Sequence, residues 1–307
     1  MSISVSAPAK VNVVLKVGPM RTDGFHSVAS LFHAVDLRDR VDLQSNCDGQ
    51  GVSVSVSGVD AGAVPTDASN LAARAVLMVA EMGEVAPDVH VHIDKRIPVA
   101  GGMAGGSADA AAALLAADLL WNLGLSRTVL DDLAAQLGSD VPFALHGGTM
   151  LGLGRGEKLT PVLTAQDWHW VISASDAQLS TPAVYQEFDR QNIEKSVADP
   201  IIPAEAMAAM RAHDAAALGA AMHNDLQPAA VSLRPQLAKV LAAGREGGAV
   251  AGMVSGSGPT VFFLAESRDH AIDLAVFLSG SGETTRVHAV TGGVAGARVE
   301  SPGVGAV

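Results

Sequence analysis

Alternation of apolar and polar residues dominates the first part of the chain. Ile3-Ser-Val-Ser and Val52-Ser-Val-Ser-Val56 repeat with period two, and residues 11–17 read as a further strand. Val89-His-Val-His-Ile93 sets its three aliphatic residues on one face, leaving His90 and His92 on the other. Two histidines so spaced can ligate a metal; with no third ligand in view, exposed strand residues are the expectation. The period then changes. Residues 70–82 carry Leu71, Ala75 and Met78 on one side of an amphipathic helix, and a glycine cluster runs into an alanine-rich helix ending near residue 122. A second helix is predicted over 126–137. A strand over 168–174 opens the second half, where helices are predicted over 182–188, 203–210, 214–222 and 235–246. A strand-and-helix unit over 252–265 and 270–278 follows, then a strand over 286–290. The Gly/Ala-rich tail from Gly292 has little core-forming pattern and is expected to be partly disordered.

This mixture of strands and helices, with no internal repeat, predicts an α+β fold of two-layer α/β type. At 307 residues the chain exceeds the usual single-domain size. Two domains are expected, over residues 1–160 and 161–307. Composition is that of an ordinary globular protein, with 49% hydrophobic and 17% charged residues. The longest helix-like apolar run, residues 110–117, falls far short of the roughly 20 residues of a bilayer span. The start reaches Lys10 without a long apolar region, so neither a secretory signal nor a membrane partner is expected. A formal net charge of −12 without any basic block argues against nucleic acid as a partner. The single cysteine, Cys47, precludes an internal disulfide and favours a reducing, cytoplasmic setting. With no base beside it, Cys47 reads as a surface-loop thiol. Lys10, Arg21, Lys95-Arg96 and Arg155 with Lys158 lie near glycine-rich segments. Solvated surface is the expectation for such charges, except for Lys10. It opens an otherwise apolar strand, where burial without a partner is unfavourable.

The densest chemistry lies in Pro98-Val-Ala-Gly-Gly-Met-Ala-Gly-Gly-Ser-Ala-Asp109. Glycines let a ligand approach the backbone, and Ser107 as N-cap with Asp109 in the first turn would start the helix there. The free N–H groups of such a turn and its dipole form an anion site, for which phosphate is the natural guest. The loop lacks the lysine of a Walker A motif and the glycine spacing of a dinucleotide fingerprint. Taken alone, a tight strand-to-helix turn is the plainer alternative, and the phosphate reading is preferred to it.

Read together, Pro8-Ala-Lys-Val-Asn12, this loop and Gly252-Met-Val-Ser-Gly-Ser-Gly-Pro-Thr-Val261 resemble the three motifs of the GHMP kinases. These small-molecule kinases are named for galactose, homoserine, mevalonate and phosphomevalonate. The resemblance spans about residues 5–265 and implies the GHMP fold, with the active site in the cleft between an N-terminal ATP-binding domain and a C-terminal domain. Further segments (Arg21-Thr-Asp-Gly-Phe-His26, Gly138-Ser-Asp-Val-Pro-Phe143, Gly154-Arg-Gly-Glu-Lys-Leu159, Ser180-Thr-Pro-Ala-Val-Tyr185 and Asn224-Asp-Leu226) are similar to the branch of the family whose substrate carries a cytidine diphosphate. That branch phosphorylates a hydroxyl with ATP in the non-mevalonate route to isoprenoid precursors. A homoserine- or mevalonate-type kinase and a non-catalytic binding module are the alternatives. The first offers no base for Phe25 and His26, and the second needs neither Lys10 nor Asp140.

The resemblance implies that Asp140 accepts the substrate's proton and that Lys10 contacts Asp140 and the reacting oxygen. A turn aspartate at a helix end explains Gly-Ser-Asp-x-Pro as well. Pro98, Val99, Ala100, Gly101, Gly102, Met103, Ala104, Gly105, Gly106 and Ser107 would form the nucleotide wall and phosphate cradle, with the Ser107 hydroxyl toward a phosphate or Mg²⁺. Asn70 stands near the adenine by resemblance, or serves as a simple N-cap. Asn12, Phe25, His26, Asp140, Thr181 and Tyr185 would meet the small-molecule substrate, Phe25 stacking where the family commonly has tyrosine and His26 reaching the base edge. For Thr181 and Tyr185, capping and core packing compete. ATP and Mg²⁺ are implied; the metal's protein ligands are not readable. A monomer or weak homodimer is expected. The loop departs from the family's common Gly-Leu-Gly-Gly-Gly-Ser-Ser at Ala104, predicting a negative or slightly strained φ, and at Ala108, which shifts a hydroxyl's contact to Ser107 or water.

Overall fold

The computed structural model describes residues 1–46, 49–164, 167–175, 178–193 and 197–300; Cys47 lies outside them, as do residues 301–307 of the tail. Strands β1 (Ser2–Met20) and β2 (His26–Ser45) form a long antiparallel hairpin. The two short strands predicted at the N-terminus are one, because register shifts at Pro8/Ala9 and Asn12/Val14 absorb the breaks in alternation. Pro8, which cannot donate to the ladder, sits at the first shift. Between the shifts, Lys10 and Asn12 are two residues apart and share one face.

Around this hairpin, β4 (Val89–Lys95) and β5 (Thr149–Gly154) pair with β2. Strand β3 (Val52–Gly58) runs parallel to β4, and β6 (Lys158–Pro161) closes a hairpin with β5. His90 and His92 are half-buried rather than exposed, because β3 aligns its serines with them. Ser53 and Ser55 bond the two nitrogens of His90, each at 2.8 Å, and Ser55 and Ser57 those of His92 at 2.8 and 3.1 Å. Helices α1 (Leu71–Met82), α2 (Gly105–Trp121), α3 (Arg127–Leu137) and α4 (Val141–His146) form the second layer. Ala108, Ala110, Ala111, Ala112 and Ala113 of α2 are wholly buried, which lets this helix approach β1 and β2 closely.

In the second half, β7 (Trp168–Ala174) lies between β10 (Val261–Ala265) and β11 (Arg286–Gly292), with β9 (Ala251–Val254) beyond β10. Its helices are α5 (Thr181–Gln191), α6 (Ala204–Ala212), α7 (Ala215–Ala221), α8 (Gln227–Leu233), α9 (Gln236–Glu246) and α10 (Arg268–Gly280). Two-residue β8 (His223–Asn224) runs parallel to β1. The halves share one hydrogen-bonded sheet, joined where Gly292 of β11 pairs with Val35 of β2.

The described part of the tail packs on the body through Glu300, further than its composition suggests. Gly293 N–H bonds Ala34 O at 2.8 Å and Ala297 N–H bonds Ala144 O at 2.9 Å. The Arg38 guanidinium donates to the Gly296 carbonyl at 3.0 Å, and β12 (Arg298–Val299) pairs with β1. Backbone and arginine contacts hold this segment, so the absence of an apolar pattern did not report on its order.

Candidate active site

Strand β1 brings Lys10 and Asn12 into the groove between the halves. The Lys10 ammonium donates to Asn12 Oδ1 at 2.7 Å, and Asn12 donates to Ser30 Oγ at 2.8 Å, which donates on to the Val14 carbonyl at 3.0 Å. Both side chains are buried, and this chain of bonds fixes their rotamers. Across the groove, Asp140 opens α4, and its Oδ2 lies 3.7 Å from Lys10 Nζ. The Asp140 side chain makes no capping bond, so its carboxylate is left for the cleft. Lys10 also lies 5.3 Å from the centroid of the Phe32 ring.

These residues line a cavity of about 320 Å³ whose wall includes Asn12, Gly102, Ala104, Asp140, Thr181 and Tyr185. Both halves of the chain supply it. Thr181 is the first residue of α5, and its hydroxyl bonds Ser257 Oγ at 2.8 Å instead of capping the helix. Burial, then the nearby Asp140 charge, push the Tyr185 phenol up to about 12, so it enters any contact as a hydrogen-bond donor. Tyr185 stacks on His26 at 5.2 Å. His26 itself lies behind Tyr185, outside the cavity wall, with Nδ1 on the Gly18 carbonyl at 2.8 Å and Nε2 3.3 Å from Asp189. Phe25 stands at the exposed rim, carried by a turn in which Arg21 N–H bonds the Phe25 carbonyl at 2.7 Å.

The glycine loop separates this cavity from a second one. That cavity measures about 190 Å³ and is lined by Asn70, Lys95, Val99, Ala100, Gly105, Gly106 and Asp109, among others. Helix α2 starts three residues earlier than predicted. Its N-cap is Ala104, not Ser107, and Ser107 falls in the first turn. Ala104 takes the strained alternative, with φ of 62°, at roughly 1–2 kcal/mol for a residue with a Cβ. The turn is forced because Gly105 is pressed on Lys95 and Ile97, a Cβ there lying 3.2 Å from Lys95 Nζ. The N–H groups of Gly105, Gly106 and Ser107 precede the first intrahelical bond and are left for an anion. Ala108 faces the core, away from the loop's ligand side.

Two further contacts hold the loop. Met103 is a core side chain whose carbonyl accepts the Lys10 N–H at 3.1 Å. The Gly102 carbonyl accepts the Ser255 hydroxyl at 3.1 Å, and the Gly101 carbonyl accepts the Thr260 N–H at 3.3 Å, so the late Gly-Ser-Gly-Pro segment buttresses it. Pro98 packs beneath Gly101, outside both cavity walls. Asn70 caps α1, its Oδ1 accepting from Ala72 and Ala73 and its Nδ2 donating to the Pro65 carbonyl at 2.7 Å. Its polar atoms are thus committed to the fold while the residue lines the second cavity.

Lys95, expected at the surface, is buried between two carboxylates. It bonds Asp39 Oδ2 and, at 2.7 Å, Asp109 Oδ2. Asp39 Oδ1 accepts the N–H groups of Arg96 at 2.6 Å and Ile97 at 2.8 Å. Asp109 lies in the second turn of α2, its Oδ1 has no partner, and desolvation pushes its carboxyl up to about 8. The network clamps the strand before the loop to the helix after it. Its signal was spread over three separate segments. Arg155, likewise expected as solvated surface, lines the larger cavity.

A glycine loop between two cavities, with a lysine–aspartate pair across the cleft, has the parts that a small-molecule kinase site requires. The chain belongs to the GHMP kinases: its residues 70–148 match the GHMP kinases N terminal domain and residues 206–284 the GHMP kinases C terminal domain. Over 299 residues it is 52% identical to the 4-diphosphocytidyl-2-C-methyl-D-erythritol kinase of Streptomyces coelicolor, covering 97% of this chain and 99% of the relative. The enzyme of that name from Mycobacterium tuberculosis is 51% identical over 303 residues, covering 98% of this chain and 93% of the relative. A crystal structure of 4-(cytidine 5'-diphospho)-2C-methyl-D-erythritol kinase superposes with a TM-score of 0.78 at 31% identity, covering 96% of this chain and all (100%) of that one. Homoserine kinase from Cytophaga hutchinsonii shares the fold, with a TM-score of 0.74 at 21% identity, over 97% of each chain.

Proposed function

We propose that this kinase transfers the γ-phosphoryl group of ATP to the 2-hydroxyl of 4-diphosphocytidyl-2-C-methyl-D-erythritol, in the non-mevalonate route to isoprenoid precursors. The observation that carries the reading is the 3.7 Å approach of Lys10 to Asp140, at the floor of the cavity beside the glycine loop. Near-full-length identity of about half to enzymes of that name supports the substrate.

In this reading the adenine end of ATP occupies the smaller cavity beside Asn70, Val99 and Ala100. The loop from Gly101 to Ser107 cradles the phosphates through the free N–H groups of α2. Asp140 accepts the proton of the attacking hydroxyl. The Lys10 ammonium, held in place by Asn12, faces the oxygen on which negative charge develops. Tyr185 and Thr181 form the opposite wall, and Phe25 supplies a stacking surface for the pyrimidine at the rim. His26 supports Tyr185 from behind and contributes to the base site through that stack.

Mg²⁺ fits this donor set as a phosphate-bound ion. Among the described residues no group of three or more His, Cys, Asp or Glu is placed to hold a metal. A small, strongly hydrated cation that binds chiefly through phosphate oxygens and water needs few protein ligands. The Ser107 hydroxyl is the candidate to contact it, and when bound it would neutralise phosphate charge. No helix among the described residues is long and apolar enough to cross a membrane. The proposed reaction belongs with the soluble metabolites of the cytoplasm.

The test is ATP consumption with Mg²⁺ and the cytidine substrate, run beside homoserine, mevalonate and galactose. Turnover with the cytidine substrate alone is expected. Turnover with homoserine or mevalonate instead would replace the reading with another branch of the family.

A further inference from the structure

The turn between β5 and β6 is built to present one side chain. Gly154 and Gly156 both take positive φ, 79° and 106°, and the Glu157 carboxylate folds back to accept the Arg155 N–H at 2.6 Å. Gly156 is pinned under Phe32, where a Cβ would come within 3.2 Å of the ring. The backbone of Arg155 is therefore held while its side chain extends over the cavity that contains Lys10 and Asp140. Its guanidinium lies 5.2 Å from the centroid of the Phe25 ring, and among the described residues it forms no ion pair with a carboxylate.

Charge makes that position informative. The formally charged residues in the cavity wall are Lys10, Asp140 and Arg155, and the first two face each other at 3.7 Å. Arg155 is thus the excess positive charge of the cleft, in a chain whose formal net charge is −12. An unpaired guanidinium held over a cavity by a braced turn is suited to an anion, and its planar fork matches phosphate oxygens bidentately. Position narrows the choice of anion. Arg155 touches the aromatic platform at the rim and also lines the cavity at whose floor the reacting pair lies. A ligand with its base on Phe25 and its hydroxyl at Asp140 carries its linking group past this side chain.

We infer that Arg155 receives the diphosphate of the cytidine substrate and sets the preference for a diphosphate-linked ligand over the nucleoside alone. The inference rests on the substrate proposed above. On binding, the guanidinium keeps its contact with the Phe25 ring and turns its N–H groups to the phosphate oxygens.

The experiment pairs kinetics with direct binding, using Arg155→Ala and Arg155→Lys. In Arg155→Ala the KM for the cytidine substrate should rise roughly 10- to 100-fold, the loss of one charge-assisted contact. The KM for ATP should stay within about twofold, since the phosphate loop is untouched. Lysine should recover part of the loss, because it restores charge without the fork. In calorimetric titrations the parent protein should bind CDP more tightly than cytidine, and Arg155→Ala should lose most of that preference while binding cytidine as before. An unchanged CDP-over-cytidine preference in Arg155→Ala, or a larger effect on ATP than on the cytidine substrate, would overturn the inference. Absence of turnover by the parent, with its CDP preference intact and lost in Arg155→Ala, would count against the proposed reaction and leave the diphosphate site standing.

Discussion

Replacing Asp109 by asparagine should leave stability nearly unchanged at pH 5.5 and raise it above that of the parent at pH 7.5. Lys95 lies between Asp39 and Asp109 with all three side chains buried, so full ionisation would leave one negative charge in excess in a low-dielectric site. Asp39 Oδ1 accepts the N–H groups of Arg96 and Ile97, whereas Asp109 Oδ1 has no partner and desolvation pushes the Asp109 carboxyl up to about 8, which places the proton on Asp109. The ordinary carboxyl value is 3.8. A folded-state pKa raised in this way stabilises fully below the unfolded value and is progressively lost as pH rises toward 8. Between pH 5.5 and 7.5 the folded parent holds about one proton more than the unfolded chain. Its stability therefore falls by about 2.5 kcal/mol relative to the variant, at ~1.4 kcal/mol per unit for one proton. Asparagine mimics the protonated acid in shape and keeps an acceptor for Lys95, so it removes the titration without removing the contact. With an unfolding entropy of about 2.1 cal/mol/K per residue over 307 residues, the difference amounts to about 4 °C in Tm. Thermal unfolding of both proteins across this range is the assay. Parallel Tm curves for parent and variant would refute a shared proton in the triad.

Other perturbations follow from the same geometry. His33 is buried, bonded to Thr149 Oγ1 at 2.7 Å, and desolvation lowers its pKa to about 3. The stability it contributes is present above about 6.5 and lost as pH falls toward 3, so a His33→Gln variant should show a shallower decline of Tm between pH 6.5 and 4.5. Both proteins of the Asp109 comparison carry His33, so its effect cancels there. Gly102→Ala should raise the KM for ATP by about tenfold or more and lower Tm. Its φ is 76°, and a Cβ would collide with the Ser255 carbonyl and come 3.1 Å from the Gly258 carbonyl, both backbone atoms of the buttressing segment. Steady-state kinetics with ATP varied check it, and an unaltered KM would mean that the two loops move independently.

What was legible along the chain was what local pattern encodes. The Asn70 cap and the apolar stripe behind it define α1, period two defines β4, and glycines beside small residues mark the loop and α2. Lys10 stood apart because a lysine in an apolar strand requires a partner, although that partner lies 130 positions away. The remainder depended on pairings that no local pattern carries. Alternation in β1 is interrupted by bulges, so one strand of 19 residues reads as two short ones. Lys95 resembles a surface charge until Asp39 and Asp109, 56 and 14 positions away, are brought against it. The segment after Gly292 is ordered by backbone bonds and by Arg38, which leave no trace in hydropathy. Ser107 has an N-cap's chemistry, yet packing of Gly105 on Ile97 and Lys95 starts the helix earlier. The motif implies that His26 reaches the base edge, whereas both its nitrogens face protein groups behind Tyr185.

The most direct measurement is single-turnover phosphoryl transfer to 4-diphosphocytidyl-2-C-methyl-D-erythritol by the parent protein and by Asp140→Asn, with ATP binding followed in parallel. Asp140 makes no capping bond, so the substitution should preserve the fold and the affinity for ATP. The transfer rate should fall by roughly 10²- to 10⁴-fold, the range for loss of a general base. A rate within a few-fold of the parent's, at equal ATP affinity, would remove Asp140 as the proton acceptor and with it the mechanism built on the Lys10–Asp140 pair.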